Sequence, residues 1–367
     1  MYNLIRVNIY RKLNDAMSVN GGDMAENRAK RSEVAKMAGV SEATVSFVLS
    51  KKRYVSDKLS KRVMAAVDEL GYQPDFIARS MVTKTTETIV VLTSDIASPL
   101  QMEIIKSIQK EAMKKGFFVN VCGGTENLKI YIDNFIARRI DGLFLSVDPA
   151  LVSDFEISRM LDKGISVLVT SARHIADDRV CGLRLDFEYG MDKIVEYLHG
   201  LKHTKIIYLS CFDKTVNSDN RIKGFKLAMK KHIGENSPEI ICGQPPYEST
   251  IEVGYKLCKK LIESKKEFTA VICTNDLMAM GALEALREYN IQVPENVSVV
   301  GIDDIVFSKA FNPPLTTLSH MAKEYGKKIF DILYDNIQDK NIVRREVVCP
   351  EMIIRKSTAE VKSKNEI

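Results

Sequence analysis

The segment that most constrains the fold covers residues 32–52, with the sequence SEVAKMAGVSEATVSFVLSKK. It predicts two short helices joined by a tight turn. Gly39 supplies the turn, because glycine adopts a left-handed backbone without a steric penalty. Ser32 and Ser41 are expected to cap the two helices, because a serine hydroxyl accepts a hydrogen bond from an amide of the first helical turn. This pattern is typical of a helix-turn-helix, whose second helix enters the major groove of DNA. An ordinary helical hairpin in a protein core is the alternative.

The basic charge of the chain is concentrated around this motif. Residues 24–84 carry 12 lysines and arginines against 7 aspartates and glutamates, whereas residues 85–367 carry 38 against 39. A basic segment beside a nearly neutral remainder indicates that the segment contacts a polyanion. A merely solvated basic surface is the alternative, but it does not explain why the surplus ends where the motif ends.

Length and composition are those of an ordinary globular protein. The 367 residues are 45% hydrophobic and 28% charged, which is enough for two or three domains with sizeable cores. No apolar run reaches membrane-spanning length, and residues 1–23 lack the apolar stretch of a secretory signal. The seven cysteines form no CxxC pair, so reduced thiols fit best. We therefore expect a cytoplasmic protein without a metal or cofactor.

Residues 1–30 form an extension that we expect to be dispensable. As a hypothesis, the codons of residues 21–23, Gly-Gly-Asp, form a ribosome-binding sequence just upstream of a true start at Met24. The mass of the protein made from its native gene tests this hypothesis, and a mature chain that begins at Met1 would contradict it.

Two further helices are predicted after the motif. Residues 56–70 carry apolar side chains at helical spacing and end at Gly71. The second helix begins at Pro74, which is accepted in a first helical turn, and is followed by the polar linker 83–86. It is too short to be stable alone in water, so it needs a partner in order to form.

From Thr88 onward, short β-rich segments alternate with helical patterns. The predicted strands are Ile89–Leu92, Phe117–Val121, Gly142–Ser146, Val167–Val169, Lys205–Ser210, Glu239–Cys242, Ala270–Cys273 and Val297–Gly301. The predicted helices are Met102–Lys115, Leu128–Arg139, Ser153–Lys163, Glu188–Leu201, Asn220–Lys231, Thr250–Glu263 and Asp276–Glu288. Such alternation predicts an α/β fold of doubly wound parallel sheets. Because two sets join near Asp186, we expect two similar lobes with a cleft between them.

The chain from Arg31 to about Ser357 resembles the LacI/GalR family of bacterial transcriptional repressors. The matching motifs are EVAKMAGVSEATVSFVLS at 33–50, YVSDKLSKRVMAAVDELGYQPDFIARSM at 54–81, RIDGLFLS at 139–146, RIKGF at 221–225, VICTNDLMAMGALEALRE at 271–288, VPENVSVVGIDD at 293–304 and NPPLTTL at 312–318. The resemblance implies a homodimer with a helix-turn-helix DNA-binding head, a hinge helix and a two-lobed effector-binding core like that of periplasmic binding proteins.

The implied domain boundaries follow the motifs. The DNA-binding domain covers residues 31–73, the hinge helix and linker 74–86, the core 87–357 and a polar tail 358–367. Within the core, the N-lobe is expected at about 87–186 and 313–340, and the C-lobe at about 187–312 and 341–357.

The resemblance also implies which residues contact DNA. They are Ser41, Glu42, Ala43, Thr44, Ser46, Phe47, Lys51, Lys52, Arg53, Tyr54, Arg79 and Met81. Phe47 stands where the family usually has an arginine that binds guanine; a phenylalanine can only contact a thymine methyl, so an atypical half-site is expected. Glu42 can accept from a cytosine amine or simply repel phosphate. Lys51 to Arg53 suit phosphate contacts better than base contacts.

Met81 matches the family position of an apolar wedge in the minor groove. Paired hinge helices push two such side chains between base pairs and kink the duplex. The alternative is that Met81 packs on the core. A dimer requires a pseudo-palindromic site, because the DNA must mirror the two-fold symmetry of the protein.

The implied effector contacts lie at strand ends of both lobes. They are Ser98, Leu100, Arg173, Arg221, Asn275 and Asp303. Arg221 matches an arginine that grips ligand hydroxyls through its fixed fork of donors. Each has a structural alternative: Arg221 can be a surface ion-pair partner, and Asn275 and Asp303 can cap the segments that follow them.

Several departures from the family concern this cleft. The loop 97–101 lacks paired aromatic residues, and Thr170-Ser171 stands where the family usually has Asp-Arg, for which Arg173 can substitute. His320 occupies a common glutamine position, and the chain has no tryptophan. A sugar effector is therefore implied by the resemblance alone.

Three rival functions compete with this interpretation. An enzyme is disfavoured because GxSxG, HExxH, Walker and GxGxxG motifs are absent in a suitable setting. A secreted solute-binding protein would explain the two lobes but not residues 31–84. A DNA-binding protein whose core binds a protein partner, or nothing, is the third alternative.

The wedge role of Met81 predicts the effect of Met81→Gly. Operator affinity should fall strongly, because glycine cannot unstack base pairs, while the melting of the core stays unchanged. DNA binding and thermal unfolding of the variant measure the two effects. Equal affinity of variant and parent would remove the wedge hypothesis.

Overall fold

The computed structural model describes residues 29–50, 53–73, 80, 83–147, 151–170, 177–213, 220–245 and 248–361. The chain divides into two compact units, Met1–Lys84 and Thr85–Ile367. The described parts of both have an apolar core of their own. The predicted hinge helix falls almost entirely on residues 74–79 and 81–82, outside the described residues.

The described residues of the first unit form three helices, α1 (Arg31–Ala38), α2 (Glu42–Ser50) and α3 (Asp57–Glu69). Their core is formed by buried side chains from all three, namely Val34, Ala35, Ala38, Val45, Val63 and Ala66. Gly39 has φ +61° and makes the turn, as predicted. Ser41 caps α2, because its Oγ accepts from the Thr44 amide at 3.1 Å.

The predicted cap at Ser32 is wrong. Helix α1 begins at Arg31, so the cap position is Lys30, two residues before Ser32. The Lys30 amide donates to Glu33 Oε2 at 2.8 Å. The glutamate three residues after the cap position therefore caps the amino-terminal end of this helix.

The residues described in the second unit form twelve strands. They are β1 (Thr88–Thr93), β2 (Phe118–Gly123), β3 (Gly142–Ser146), β4 (Ser166–Val169), β5 (Cys181–Leu185), β6 (Ile206–Ser210), β7 (Ile240–Cys242), β8 (Ala270–Cys273), β9 (Ser298–Asp303), β10 (Thr316–Ser319), β11 (Arg345–Val348) and β12 (Glu351–Ile353). Its helices are α4 (Pro99–Lys114), α5 (Leu128–Ala137), α6 (Asp154–Asp162), α7 (Phe187–Gly200), α8 (Asn220–His232), α9 (Ile251–Glu263), α10 (Asp276–Glu288) and α11 (Ala322–Gln338).

The strands form two six-stranded sheets, one per lobe. Their orders are β11-β5-β4-β3-β1-β2 and β12-β10-β9-β8-β6-β7, with all pairs parallel except β10 with β12. The predicted α/β class with doubly wound parallel sheets is confirmed. Side chains of β1 alternate between two clusters on opposite faces: Ile89 and Val91 enter one, Val90 and Leu92 the other. Burial on both faces explains why these strands are continuous apolar runs.

The predicted lobe boundaries are wrong near the carboxyl end. Residues 316–319 were expected in the N-lobe, but β10 pairs with β9 in the second sheet. Residues 341–348 were expected in the C-lobe, but β11 pairs with β5, with Arg345 opposite Gly182. Helix α11 does pack on the first lobe, so the chain returns to the first sheet before it ends in the second.

Both ends of the core also differ from the expectation. Thr86, assigned to the linker, donates from its amide and hydroxyl to Asp141 Oδ2, each at 3.0 Å, so it belongs to the core. The expected polar tail is held as far as Val361, whose amide donates to Leu201 O at 3.0 Å. Ser357 is fully buried and its hydroxyl donates to Val299 O at 2.6 Å. Polar side chains at this end serve as hydrogen-bond partners, which composition alone does not reveal.

Helices α9 and α10 approach each other closely at two glycines. A Cβ on Gly281 would lie 1.9 Å from the Ile251 carbonyl oxygen, and one on Gly254 would lie 2.1 Å from that of Met278. We expect Gly281→Ala to reduce the free energy of unfolding by about 2 kcal/mol or more, because the backbone must move apart. Urea denaturation measures this.

Gly200→Ala is the matched control, because a Cβ there meets no atom within 4 Å and Gly200 ends helix α7. It should be neutral or slightly stabilising. Equal stability of the two variants would show that the close helix crossing is not required.

Candidate functional site

Helix α2 presents one face outward from the first unit. Val45 is fully buried beneath it, whereas Ser41, Glu42 and Ala43 are exposed. Thr44, Ser46 and Phe47 are half-buried, so their outer parts remain accessible. This is the face on which the sequence analysis places the expected DNA contacts.

Three residues of this face have contacts that the sequence did not predict. Glu42 lies 3.4 Å from Arg31 Nε, which partly neutralises an acid that would otherwise face phosphate. The Arg53 guanidinium lies over the Phe47 ring, 5.4 Å from its centroid, and Tyr54 is 92% exposed. Phe47 and Arg53 therefore form one aromatic and cationic surface beside α2. Lys51, Lys52, Arg79 and Met81 lie outside the described residues.

A second candidate site follows the strand ends of the second sheet. Arg221 in the first turn of α8 donates from Nη1 to the Thr274 carbonyl at 3.1 Å. Its guanidinium lies 4.9 Å from the ring centroid of Phe187 and 6.0 Å from that of Phe212. These rings limit where the guanidinium can go, so the directions in which it can donate are restricted.

Asp303 ends β9 with a strained backbone. Its φ is +120°, a region that non-glycine residues rarely adopt and that is concentrated at functional sites. Burial raises the pKa of its carboxyl well above the ordinary value; nearby Asp276 acts in the same direction, whereas Arg221 lowers it. The strained backbone of Asp303 and the burial of its carboxyl both cost free energy of folding. Two such costs at one residue indicate a role beyond capping.

His320 follows β10 and completes this cluster. Its ring packs edge-on against Phe187, with centroids 5.4 Å apart, and its Nε2 lies 3.5 Å from Asp303 Oδ1 without a hydrogen bond. Burial lowers the pKa of His320 to about 3, assisted by Arg221, so the imidazole is neutral at physiological pH. The contact with Asp303 is therefore a close approach rather than an ion pair.

The other predicted effector residues have structural contacts. Asn275 caps α10: its Oδ1 accepts from the Met278 amide at 2.9 Å, and its Nδ2 donates to Ser249 O at 3.0 Å. Ser98 caps α4, and Leu100 packs against the core of the first lobe. Arg173 lies outside the described residues.

Asp276 and Gln101 were missed by sequence reasoning. Asp276 is buried and accepts from the Ile305 amide, the Ser308 hydroxyl and the Thr317 hydroxyl, the last at 2.6 Å. Gln101 in α4 donates from Nε2 to Ser146 Oγ at 2.8 Å. A buried acid directly after a capping asparagine is a signal that could have identified Asp276.

A polar cavity of about 390 Å³ lies at the ends of β1 and β2 in the first lobe. It is lined by Ser94, Gly123, Gly124, Thr125, Glu126, Asn127 and Tyr131. None of the predicted effector residues lines it, so the chemistry at Arg221 and Asp303 is the better guide to the site. Within the described ranges, no group of three or more histidine, cysteine or acidic residues could hold a metal, and no helix could span a membrane.

Comparisons with known proteins agree with this architecture. Residues 32–75 match the family model for bacterial regulatory proteins, lacI family, and residues 195–358 match a periplasmic binding protein-like domain. The HTH-type transcriptional repressor PurR of Photobacterium profundum is 32% identical over 337 residues, which are 90% of this chain and 98% of the relative.

Two solved structures have a similar fold. The Lac repressor dimer bound to operator and the anti-inducer ONPF has a TM-score of 0.76 and 26% identity, over 90% of this chain and 99% of that chain. The transcriptional regulator CelR in complex with cellobiose has a TM-score of 0.65 and 23% identity, over 90% of this chain and 100% of that chain. At 23% identity, the likeness to CelR shows a similar fold and nothing further.

The raised pKa of Asp276 predicts a pH dependence. Burial raises this pKa from 3.8 to about 6, with a further contribution from Asp304, although its three hydrogen bonds act in the opposite direction. A raised folded-state pKa stabilises the protein below pH 4, and this contribution is lost as the pH rises through 6. Relative to Asp276→Asn, the parent should therefore lose about 3 kcal/mol between pH 4 and pH 7.

Urea denaturation of both proteins across this range measures the effect. Asp276→Asn also removes the influence of Asp276 on Asp303; this influence raises the pKa of Asp303 and therefore acts on stability in the same direction. A stability difference that does not change with pH would contradict the assignment.

Proposed function

Because the chain belongs to the LacI family of bacterial regulatory proteins, we propose that it is a cytoplasmic transcriptional repressor that binds a pseudo-palindromic operator as a homodimer under the control of a small-molecule effector. The observation that carries the proposal is the exposed face of α2 beside a tight turn at Gly39, within a basic segment. The relatives are named as repressors, so the chain is assigned to regulators and not to enzymes.

On DNA, α2 supplies the readout. Thr44 and Ser46 provide hydroxyls for phosphates or bases, and the Phe47 ring suits a thymine methyl. Arg53 stacks on that ring and can neutralise a phosphate next to it, together with Lys51 and Lys52. Arg79 and Met81 complete the interface through the minor groove.

In the core, Arg221 and Asp303 hold the effector. The guanidinium lies close to two aromatic rings and supplies donors, while Asp303 supplies an acceptor. The effector changes the angle between the lobes, and the two lobe arrangements differ in affinity for the operator.

An apolar face of the first lobe supports the homodimer. The edge strand β2 exposes Phe118 (68%) and Val121 (40%), and the adjacent α4 exposes Met102 (50%) and Met113 (77%). Exposed apolar side chains along a sheet edge are a liability unless they are covered. The Lac repressor in the similar structure is a dimer, and a second copy is the occupant we propose for this face.

The proposed dimer predicts the effect of Phe118→Lys. A charge buried against the partner should weaken dimerisation at least 100-fold, equivalent to about 3 kcal/mol. Analytical ultracentrifugation measures the change. Phe155→Lys, at a phenylalanine that is 72% exposed on α6, is the matched control and should leave the dimer intact. Equal dissociation of both variants would exclude this face.

The DNA-binding proposal is tested by selection from random duplexes with the purified full chain at moderate salt. We expect a two-fold symmetric consensus and at least a ten-fold loss of affinity for it in Phe47→Ala. Met64→Ala, at an exposed apolar residue of α3, should bind like the parent. Failure to enrich any palindrome, with or without added metabolites, would overturn the proposal.

A further inference from the structure

Helix α2 contains no side chain that can donate two hydrogen bonds to a base. Its sequence, EATVSFVLS, holds one acid, three hydroxyl residues and apolar residues, but no arginine, lysine, asparagine or glutamine. The specific contact that proteins make most often with guanine is a pair of donors from one arginine or lysine. Any such donor pair on this DNA-binding head therefore comes from residues beside α2.

The ion pair between Arg31 and Glu42 lies at the amino-terminal end of α2. Arg31 is the first residue of α1, and Glu42 is the first residue of α2. Arg31 Nε is 3.4 Å from Glu42 Oε2, and the two side chains are 50% and 54% exposed. The amino-terminal residues of a recognition helix are the ones that contact base edges in the major groove. The pair therefore lies where bases are read, and about half of each side chain is accessible from outside.

The surroundings leave the Arg31 guanidinium available for DNA. Glu33, the acid in the first turn of α1, accepts from the Lys30 amide at 2.8 Å, so it caps its own helix. Among the residues that the structure describes, Arg31 has Glu42 as its partner and no other. This contact is made through Nε, so the two terminal nitrogens can donate elsewhere. An exposed ion pair adds little stability, so a role in folding does not explain it.

We propose that Arg31 and Glu42 together read one G·C base pair in each half-site of the operator. The terminal nitrogens of Arg31 donate to O6 and N7 of the guanine, and the Glu42 carboxylate accepts from N4 of the paired cytosine. This inference rests on the proposed DNA-binding function, and it adds a specificity determinant that lies outside α2.

The order of donors and acceptors selects the G·C pair. In the major groove, guanine presents the acceptors N7 and O6, and cytosine presents the N4 amine beside them. The ion pair presents two donors and then an acceptor, which is the complementary order. An A·T pair would place the adenine N6 amine against a guanidinium that has only donors. Replacement of the G·C pair by A·T therefore leaves one donor facing another.

Glu42 also directs Arg31 to a base rather than to a phosphate. A phosphate bound to the guanidinium would lie beside the Glu42 carboxylate, and the two negative charges would repel each other. The edge of a base pair carries no net charge, so it causes no such repulsion. Its cytosine amine moreover gives the carboxylate a hydrogen-bond donor.

The first test is selection from random duplexes with the full chain, for the parent and for Arg31→Ala. We expect the parent consensus to contain a G·C pair at one position of each half-site, and the variant to lose its preference at that position alone. Kd is then measured for the parent consensus and for the same duplex with this pair replaced by A·T. The parent should prefer the consensus by about ten-fold or more, whereas Arg31→Ala should bind both duplexes equally.

Glu42→Ala and Lys36→Ala separate base reading from general charge effects. Glu42→Ala should reduce the discrimination between the two duplexes about five-fold, while its affinity for the A·T duplex stays equal or rises, because an acid near the DNA phosphates is removed. Lys36→Ala removes an exposed cation from α1 and is the matched control. It should weaken the binding of both duplexes by the same factor. The Tm of each variant should stay within about 2 °C of the parent.

The outcomes separate this inference from the proposed function. If the parent enriches no palindrome, the proposed function and the inference both fail. If a palindrome is enriched but Arg31→Ala selects the same consensus, or binds both duplexes more weakly by one factor, Arg31 contacts phosphate and only the inference fails. An Arg31-dependent preference for another base pair, or unchanged discrimination in Glu42→Ala, would also overturn the inference and leave DNA binding untouched.

Discussion

The carboxylate of Asp276 joins three segments that are distant in sequence. Its oxygens accept from Ile305 and Ser308, which follow β9, and from Thr317 in β10. Asp303 lies two residues before Ile305, and His320 lies three residues after Thr317. The geometry of the candidate effector site thus depends on one buried acid at the start of α10. That acid also raises the pKa of Asp303, so the same interaction that shapes the site adjusts its electrostatics.

The strand order gives the site its place between the lobes. The chain passes from the first sheet to the second between β5 and α7, returns between β10 and α11, and passes back between β11 and β12. Phe187 and His320 stand at the first two passages and contact each other. A ligand held by Arg221, which packs on Phe187, and by Asp303, which lies next to His320, therefore acts where the lobes are connected, and a small rearrangement there can change the lobe angle.

Much of this fold follows from local sequence signals. Gly39 and Ser41 specify the turn of the head through backbone freedom and capping, and long buried strands such as β3 appear as continuous apolar runs. The strands that failed were β5 and β10 to β12, which have three to five residues each, and helix α11 was not predicted either. Their sheet is chosen by pairing with residues such as Val300 and Gly182, far away in sequence, and short polar strands carry no periodic signal.

At the site, family motifs located Arg221 and Asp303. They could not show that both ends of the Asn275 amide are occupied, or that Gln101 and His320 each hold an atom without a hydrogen-bond partner among the described residues, because these facts depend on neighbours brought together by folding.

The hydrogen bonds near the carboxyl end set a limit on how this chain can be shortened. Ala359 donates to Ser298 Oγ and accepts from His203 Nε2, both at 3.0 Å, and the Ser357 hydroxyl links Thr316 to Val299. Removing residues from 357 onward would leave these partners buried beside β9 without their hydrogen bonds. Strands β9 and β10 of the second lobe would then lose the contacts that this end of the chain makes with them. Among the described residues, Val361 makes the last of these backbone bonds, so a carboxyl-terminal fusion partner or affinity tag has to leave the chain intact up to that residue.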